Sequence, residues 1–192
     1  MSVKYSIGQI ISAVQQVMKK YDESDPFRLA DAMGIMVKYR PMGTYKGCNK
    51  GFFLIHCRIK CIVINSDLPK VMQRIILAHE LGHAVLHSQE VAIAPFRESE
   101  LFDTTDPKEY EANLFASELL LQDEDIMEAV RCDHSVGAIA REFYVPLEML
   151  DFKCRVMKKK GYPINPLMIA QSNFLKNLEK EADSCCPDDY IC

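Results

Sequence analysis

The sequence feature that most constrains this chain is the run His79-Glu80-Leu81-Gly82-His83, which has apolar residues on both sides. The apolar flanks predict a buried helix, and residues four apart on a helix share one face. His79 and His83 can therefore direct two imidazoles at one metal ion, and zinc suits such a set with a third protein ligand and an open position. Glu80 lies roughly 100° around the helix from His79, so its carboxylate falls beside the ion, where it can take a proton from water.

His87 continues the histidine spacing, but we do not expect it to bind the same ion as His79. Eight residues along a straight helix span about 12 Å, whereas a zinc-bound nitrogen lies about 2 Å from the ion. We assign His87 to the helix end, where the helix dipole favours its protonated form. The helix should span about residues 69–88, with Ser66 or Asp67 as its cap.

Length, charge and hydropathy narrow the class of protein. The 192 residues suffice for one domain, or for one domain with a small appendage. A formal net charge of −4 argues against strong nonspecific binding to nucleic acid or anionic lipid. No apolar run approaches the roughly 18–20 residues of a membrane span, and no signal-peptide segment opens the chain. A cytoplasmic protein without a membrane partner is expected; its oligomeric state cannot be predicted.

Eight cysteines raise the question of disulfides or a second metal site. Without an export signal, reduced thiols are the expectation for a chain of this size. The spacing of Cys48, Cys57 and Cys61 gives only weak support for a zinc site, and Cys61 begins an apolar run that predicts a strand. These cysteines are therefore assigned to the fold.

Hydrophobic periodicity predicts an α+β fold in which a small mixed sheet packs against the histidine helix. Before that helix, the pattern predicts helices over residues 6–21 and 25–33 and strands over 35–39, 51–55 and 61–65. The last two strands should form a hairpin. The mixed, polar stretch after the histidine helix, residues 89–105, is predicted to form an irregular rim near the site.

Acidic side chains occur repeatedly on the next predicted helix, which opens at residues 106–109. Asp106 can cap this helix, and Glu109 sits at the capping-box position, which explains its presence. Glu111 and Glu118 lie on nearly one apolar face, and a buried carboxylate there needs a partner such as a metal ion. They are about 10 Å apart along the helix, so only one can bind the ion, and either remains possible.

Residues 135–160 predict a helix, a short turn and a second helix that resemble a helix-turn-helix with a basic end. One basic end in an acidic chain is weak support for DNA binding, so the hairpin is expected to pack on the preceding part and not to bind nucleic acid directly. We divide the chain into a core with N-terminal helices (1–122), a helical helix-turn-helix-like region (123–178) and an acidic, disordered tail (179–192).

Several segments together resemble the ImmA/IrrE family of zinc metallopeptidases. These segments are Asp25 to Ala30, Gly51 to Phe53, Ile62 to Asn65, Leu77 to His87 and Glu111 to Leu120. The resemblance covers roughly residues 25–160 and implies a core similar to thermolysin-type gluzincins. It also implies that the Glu of the Glu-Ala-Asn segment, Glu111, is the third zinc ligand. One departure is that the family's leucine run usually ends Met-Pro, whereas Leu121-Gln122-Asp123 follows here.

The resemblance implies a zinc-dependent endopeptidase, with Zn²⁺ held by His79, His83 and Glu111 and with Glu80 as the general base. It further implies a protein substrate, typically a helix-turn-helix repressor whose cleavage turns on stress or mobile-element genes. One alternative is a module that binds the repressor without cleaving it, although the intact Glu80 argues against a silent site. The other is a DNA-binding regulator acting through residues 135–160, which a steep salt dependence of promoter binding would favour.

Overall fold

The computed structural model describes residues 4–91, 102, 105–132 and 134–164, without the side chains of Glu90 and Val91. These residues form an α+β fold, which confirms the predicted class. In chain order the elements are α1 (Ile7–Tyr21), α2 (Pro26–Ala32), β1 (Met36–Arg40), β2 (Gly51–His56), β3 (Ile59–Asn65), α3 (Lys70–Leu86), α4 (Ser88–Val91), α5 (Pro107–Leu120), α6 (Asp123–Arg131), α7 (Val136–Glu142) and α8 (Leu147–Lys159). None of these helices is long and apolar enough to cross a membrane. Most of the predicted rim and the entire predicted tail lie outside the described residues.

The sheet is small and mixed, as predicted, with the strand order β1-β3-β2. β1 pairs with β3 in parallel, and β2 pairs with β3 in antiparallel fashion. The predicted hairpin joins β2 to β3 through Cys57 and Arg58, which both adopt positive φ angles of 48° and 67°. The central strand β3 is buried from Cys61 to Asn65, whereas β2 is an edge strand of the described sheet.

The histidine helix, α3, packs against β2 and β3 on one side and α5 on the other. Every residue from Ile75 to Ala84 is buried, which agrees with the apolar flanks of the histidines. A Cβ atom at Gly82 would lie 3.1 Å from Ala112 Cα and 3.2 Å from the Ala112 carbonyl oxygen. Glycine therefore allows the backbones of α3 and α5 to approach closely beside the histidines.

The predicted cap of α3 was wrong. Pro69 is the N-cap residue of α3, and no side chain caps the helix. Asp67 instead accepts a hydrogen bond from the Gly43 backbone N–H at 2.7 Å. Proline sets the extended backbone that precedes the first turn, and its missing N–H is not needed there. The predicted start of α3 was correct to within one or two residues, but a proline and not a polar side chain occupies the cap position.

The C-terminal helices share one hydrophobic core with the sheet and α3. α8 packs against α5 and α1, and Phe152 of α8 belongs to the same buried cluster as Phe53 of β2 and Phe115 of α5. Helix α6, between α5 and the helix-turn-helix-like hairpin, was not predicted. The division of the chain at residues 122 and 123 remains a prediction.

A buried group of ion pairs links the C-terminal end of α5 to α6 and α8. We call it the ion-pair cluster, and it consists of Glu118, Asp123, Lys153 and Lys160. Lys153 Nζ lies 2.7 Å from Glu118 Oε2 and 2.6 Å from Asp123 Oδ1, and Lys160 Nζ contacts the other oxygen of each carboxylate. Burial alone would raise the pKa of Asp123, but hydrogen bonds from the two lysines outweigh it and lower that pKa. The cluster therefore holds two carboxylates and two ammonium groups in contact.

Candidate metal centre

Helix α3 brings the imidazoles of His79 and His83 together on one buried face. The two Nε2 atoms are 3.0 Å apart, and both side chains are fully buried. The ring centroids lie 4.8 Å apart in an edge-on arrangement. This is the arrangement expected from the four-residue spacing, with both Nε2 atoms directed at one point.

The carboxylate that meets these two nitrogens belongs to Glu109, in the first turn of α5. Glu109 Oε2 is 3.1 Å from His79 Nε2 and 3.4 Å from His83 Nε2. These three residues form a group whose potential ligand atoms all lie within 4.8 Å of one another. Two ligands of a tetrahedral zinc ion lie about 3.3 Å apart when each is about 2.0–2.1 Å from the metal. The three observed separations fit one shared ion.

The structure does not bring Glu111, the ligand implied by the family resemblance, into this group. Glu111 Oε2 lies 2.9 Å from His87 Nε2, and Glu111 Oε1 accepts hydrogen bonds from the backbone N–H groups of Lys4 and Tyr5 at 2.6 and 2.9 Å. Residues two apart on a helix point about 200° apart, so Glu109 and Glu111 face different neighbours. The other open alternative, Glu118, lies in the ion-pair cluster.

The capping explanation for Glu109 also needs correction. The side-chain cap of α5 is Asp106, which accepts a hydrogen bond from the Lys108 N–H at 2.8 Å. Asn113, one turn beyond Glu109, places Oδ1 at 2.9 Å from His79 Nδ1. The spacing Glu-x-x-x-Asn on one face of α5 is the signal that sequence reasoning missed, because it directs a carboxylate and an amide oxygen together at the histidines of α3.

Both histidines therefore have an orienting contact on the nitrogen that faces away from Glu109. His79 Nδ1 faces Asn113 Oδ1, and His83 Nδ1 lies 3.1 Å from His87 Nδ1. Burial lowers the pKa of His83 to about 4, against the opposing effect of the Glu109 carboxylate. The imidazole of His83 is thus neutral near pH 7, the state in which it can bind a metal.

Glu80 lies beside the start of the edge strand β2, and 1% of its surface is exposed. A Cβ atom at Gly51, the first residue of β2, would lie 3.5 Å from Glu80 Oε1 and 2.5 Å from Ile76 Cγ2. A residue larger than glycine at this position would require the Ile76 side chain of α3 or the strand itself to shift. The carboxylate of Glu80 and the backbone of β2 are therefore close neighbours.

The helix-turn-helix-like hairpin consists of α7 and α8, but α8 is unsuited to enter a DNA groove. Every residue from Glu148 to Met157 except Arg155 is buried against the rest of the protein. A recognition helix must expose the side chains that reach base edges. The hairpin resembles a helix-turn-helix in its sequence pattern, yet its second helix is part of the core.

The described cysteines do not form a metal site with one another. Cys48, Cys57, Cys61, Cys132 and Cys154 are free thiols. The Sγ atom of the buried Cys48 accepts a hydrogen bond from Lys50 Nζ at 3.2 Å, whereas Cys57 is exposed in the hairpin turn. Within the described ranges, the histidine and glutamate group on α3 and α5 is thus the candidate metal centre.

The chain is similar to known proteins over most of its length. The family model described as an IrrE N-terminal-like domain matches residues 30–155, which include both helices of the candidate centre. The chain is 37% identical over 144 residues to "Uncharacterized immunity region protein 2" of Bacillus phage phi105, covering 75% of this chain and 88% of that protein. It is 30% identical over 156 residues to "Metallopeptidase ImmA" of Bacillus subtilis (strain 168), covering 78% of this chain and 86% of that protein.

Proposed function

Because the chain belongs to the ImmA/IrrE family of metallopeptidases, we propose that it is a zinc-dependent endopeptidase that cleaves a helix-turn-helix repressor. The observation that carries this proposal is the convergence of His79 Nε2, His83 Nε2 and Glu109 Oε2 at separations of 3.0 to 3.4 Å. Two imidazoles and one carboxylate, with room for a further ligand, form the donor set of a catalytic zinc site.

We assign the metal to His79, His83 and Glu109, in place of the set with Glu111 implied by the family resemblance. The assignment is supported by the separations of the three atoms and by the engagement of Glu111 with His87. Asn113 orients His79 from the next turn of α5. A bound zinc ion would supply Lewis acidity, which makes a water molecule a stronger acid and polarises the peptide carbonyl.

Glu80 acts as the general base in this mechanism. It follows His79 on α3, so its carboxylate lies beside the ligand group and not within it. Glu80 removes the proton from the water that attacks the scissile carbonyl, and it then delivers that proton to the leaving amine nitrogen. Burial of the side chain among α3 and β2 keeps bulk water away from these proton transfers.

The substrate segment would bind as an extended strand along the edge of β2. Two observations support this placement: β2 is an edge strand of the described sheet, and its first residue, Gly51, lies beside Glu80. A peptide that pairs with a sheet edge passes its backbone along the strand, which would bring its carbonyl groups past Glu80. The phage relative is named as an immunity region protein, which supports a repressor as the substrate. We propose that the reaction takes place in the cytoplasm.

Incubation with purified helix-turn-helix repressors, beginning with any encoded next to this protein's gene, tests the proposal. We expect zinc-loaded protein to produce two fragments that mass spectrometry assigns to one peptide bond. Glu80→Gln should keep the zinc and lower the cleavage rate about a thousandfold, because an amide cannot accept the proton. Glu128→Gln, at an exposed position on α6, is the matched control and should cleave normally. Equal cleavage by the Glu80→Gln variant would exclude Glu80 as the base.

A further inference from the structure

A second hydrogen-bond chain starts on the far side of His83 and ends at the N-terminal segment. His83 Nδ1 lies 3.1 Å from His87 Nδ1, and His87 Nε2 lies 2.9 Å from Glu111 Oε2. His87 and Glu111 are both fully buried, and neither contributes an atom to the ligand group of His79, His83 and Glu109. Burial of a histidine and a carboxylate is costly unless each is hydrogen-bonded, so this pair needs an explanation of its own.

The carboxylate of Glu111 sets the direction of every hydrogen bond in this chain. An ionised carboxylate only accepts, so His87 must carry its proton on Nε2 and donate it to Glu111. In a neutral His87 the other nitrogen, Nδ1, is then an acceptor, and His83 donates to it from Nδ1. A neutral imidazole protonated on Nδ1 has its lone pair on Nε2. His83 Nε2 is the atom that faces Glu109 and His79.

The N-terminal segment fixes the position of Glu111 at the end of the chain. Glu111 Oε1 accepts from the N–H groups of Lys4 and Tyr5, which leaves Oε2 for His87. The Tyr5 hydroxyl donates to the Leu86 carbonyl oxygen at 2.9 Å, next to His87 in sequence. The segment before α1 therefore contacts the end of α3 and the first half of α5 together.

We propose that His87 and Glu111 are positioning residues that hold His83 in the tautomer and orientation required for metal binding, with the backbone of residues 4 and 5 securing Glu111. This inference rests on the proposed function, since it concerns the same metal centre. It gives Glu111, which the family resemblance implies as a ligand, a positioning role. It also makes the N-terminal segment part of the support of the site. Residues that orient metal-bound histidines in this way typically change metal affinity about 10–100-fold when they are substituted.

Glu111→Gln gives the sharpest test because it keeps the shape of the side chain. If the amide oxygen of the new glutamine still accepts from residues 4 and 5, the NH₂ group of the same side chain faces His87 Nε2. His87 Nε2 must then become an acceptor. Every bond in the chain reverses, and His83 Nε2 carries a proton in place of its lone pair. We expect zinc affinity, measured by competition with a chromophoric chelator, to fall about 10–100-fold. The visible spectrum of the Co²⁺-substituted protein should change as well, because it reports the ligand field.

His87 offers a second pair of variants. His87→Leu removes the chain and should weaken zinc binding about as much as Glu111→Gln, whereas His87→Gln provides an acceptor and a donor and should restore part of the affinity. Glu128→Gln on α6 is the control and should bind zinc normally. Circular dichroism of the zinc-free variants checks that each is folded; if one variant fails to fold, the other two still test the chain.

The double variant that combines His87→Leu with Glu111→Gln separates the two possible roles of Glu111, as a positioning residue and as a metal ligand. If Glu111 acts through His87, Glu111→Gln has little further effect in the His87→Leu background. If Glu111 is itself a ligand, its effect persists in full there, and the positioning role is overturned. The positioning role is also overturned if Glu111→Gln and His87→Leu each bind zinc with wild-type affinity and give an unchanged Co²⁺ spectrum. The proposed function would stand in that case. Failure of folded wild-type protein to bind zinc would instead overturn the proposed function, and the inference with it.

Discussion

Helix α5 carries two buried polar clusters, one at each end, and they differ in how their charge is balanced. At its C-terminal end, Glu118 belongs to the ion-pair cluster, where two carboxylates meet two ammonium groups. At its N-terminal end, Glu109 meets two imidazoles whose outward nitrogens face Asn113 and His87. The first cluster contains its own cations, whereas the second directs two imidazole nitrogens and a carboxylate oxygen at one point.

This difference separates a structural cluster from a candidate binding site. Charges that are buried and paired within the protein hold helices in register, and removing one partner is expensive. Imidazole nitrogens and a carboxylate oxygen that converge on one point can instead hold a metal cation such as zinc. Burial alone would not distinguish the two, because Lys153 is as deeply buried as His83, at 1% and 0% exposure. The four predictions that follow test this distinction.

The largest expected effect is on zinc affinity when Glu109 and Glu118, near the two ends of α5, are each exchanged for glutamine. Glu109→Gln should weaken zinc binding about a thousandfold, or about 4 kcal/mol, since losing a ligand costs more than losing a residue that orients one. Glu118→Gln should bind zinc as wild type. Competition with a chromophoric chelator measures both. Near-normal affinity in Glu109→Gln, with the full loss in Glu111→Gln, would return the third ligand to Glu111.

Breaking the ion-pair cluster should affect stability and leave zinc binding alone. Lys153→Met leaves the carboxylates of Glu118 and Asp123 with Lys160 alone and should lower the free energy of unfolding by about 3 kcal/mol. Urea denaturation of the zinc-free protein measures this change. Lys158→Met, at an exposed position on the same helix, is the control and should lose little. A similar loss in both variants would mean that the cluster adds no specific stability.

Zinc itself should stabilise only proteins with an intact metal centre. At a free zinc concentration about 100 times the Kd, the free energy of unfolding should rise by about 2.7 kcal/mol through mass action. We expect this gain in wild type and in Lys153→Met, but not in Glu109→Gln at the same zinc concentration. Urea midpoints with and without zinc measure it. An equal gain in Glu109→Gln would place the bound zinc elsewhere.

The smallest effect should come from widening the contact between α3 and α5. Gly82→Ala would place a methyl group 3.1 Å from Ala112 Cα and should cost about 2 kcal/mol of stability through overpacking. It should also weaken zinc binding, because His83 and Glu109 lie on the two helices that separate. Gly137→Ala is the matched control: nothing lies within 4 Å of its Cβ, so it should be neutral or slightly stabilising. Equal effects at the two glycines would refute the close-contact argument.

The local pattern of the sequence was enough to predict most of the fold. Helix spacing put His79 and His83 on one face, and two short apolar runs bounded by turn signals predicted the β2 and β3 hairpin. The predicted caps of α3 failed because proline took the cap position in place of a polar side chain. α6 was missed although Asp123 to Asp125 form the acidic first turn that favours a helix start.

The partner of the histidines could not be predicted from spacing alone. Glu109 and Glu111 are both in the first turns of α5, and the choice between them depends on the rotation of α5 about its axis against α3. That rotation is set by the contact between Gly82 and Ala112 and by the packing of α5 on α8 and α1. These are tertiary contacts, which the local sequence does not encode. Glu109 also fits the capping-box position, which gave a separate explanation for it, and its four-residue spacing to Asn113 is informative only once α5 is known to face α3.

The contact between Glu111 and the N-terminal backbone has a consequence for the order of folding. The hydrogen bond from Lys4 to Glu111 joins residues 107 positions apart in the chain. Closing so long a segment costs conformational entropy before any contact is gained, and contacts of this range form late. Zinc is therefore expected to enter a chain that has already folded, unlike the short zinc-finger motifs whose folding the metal itself drives.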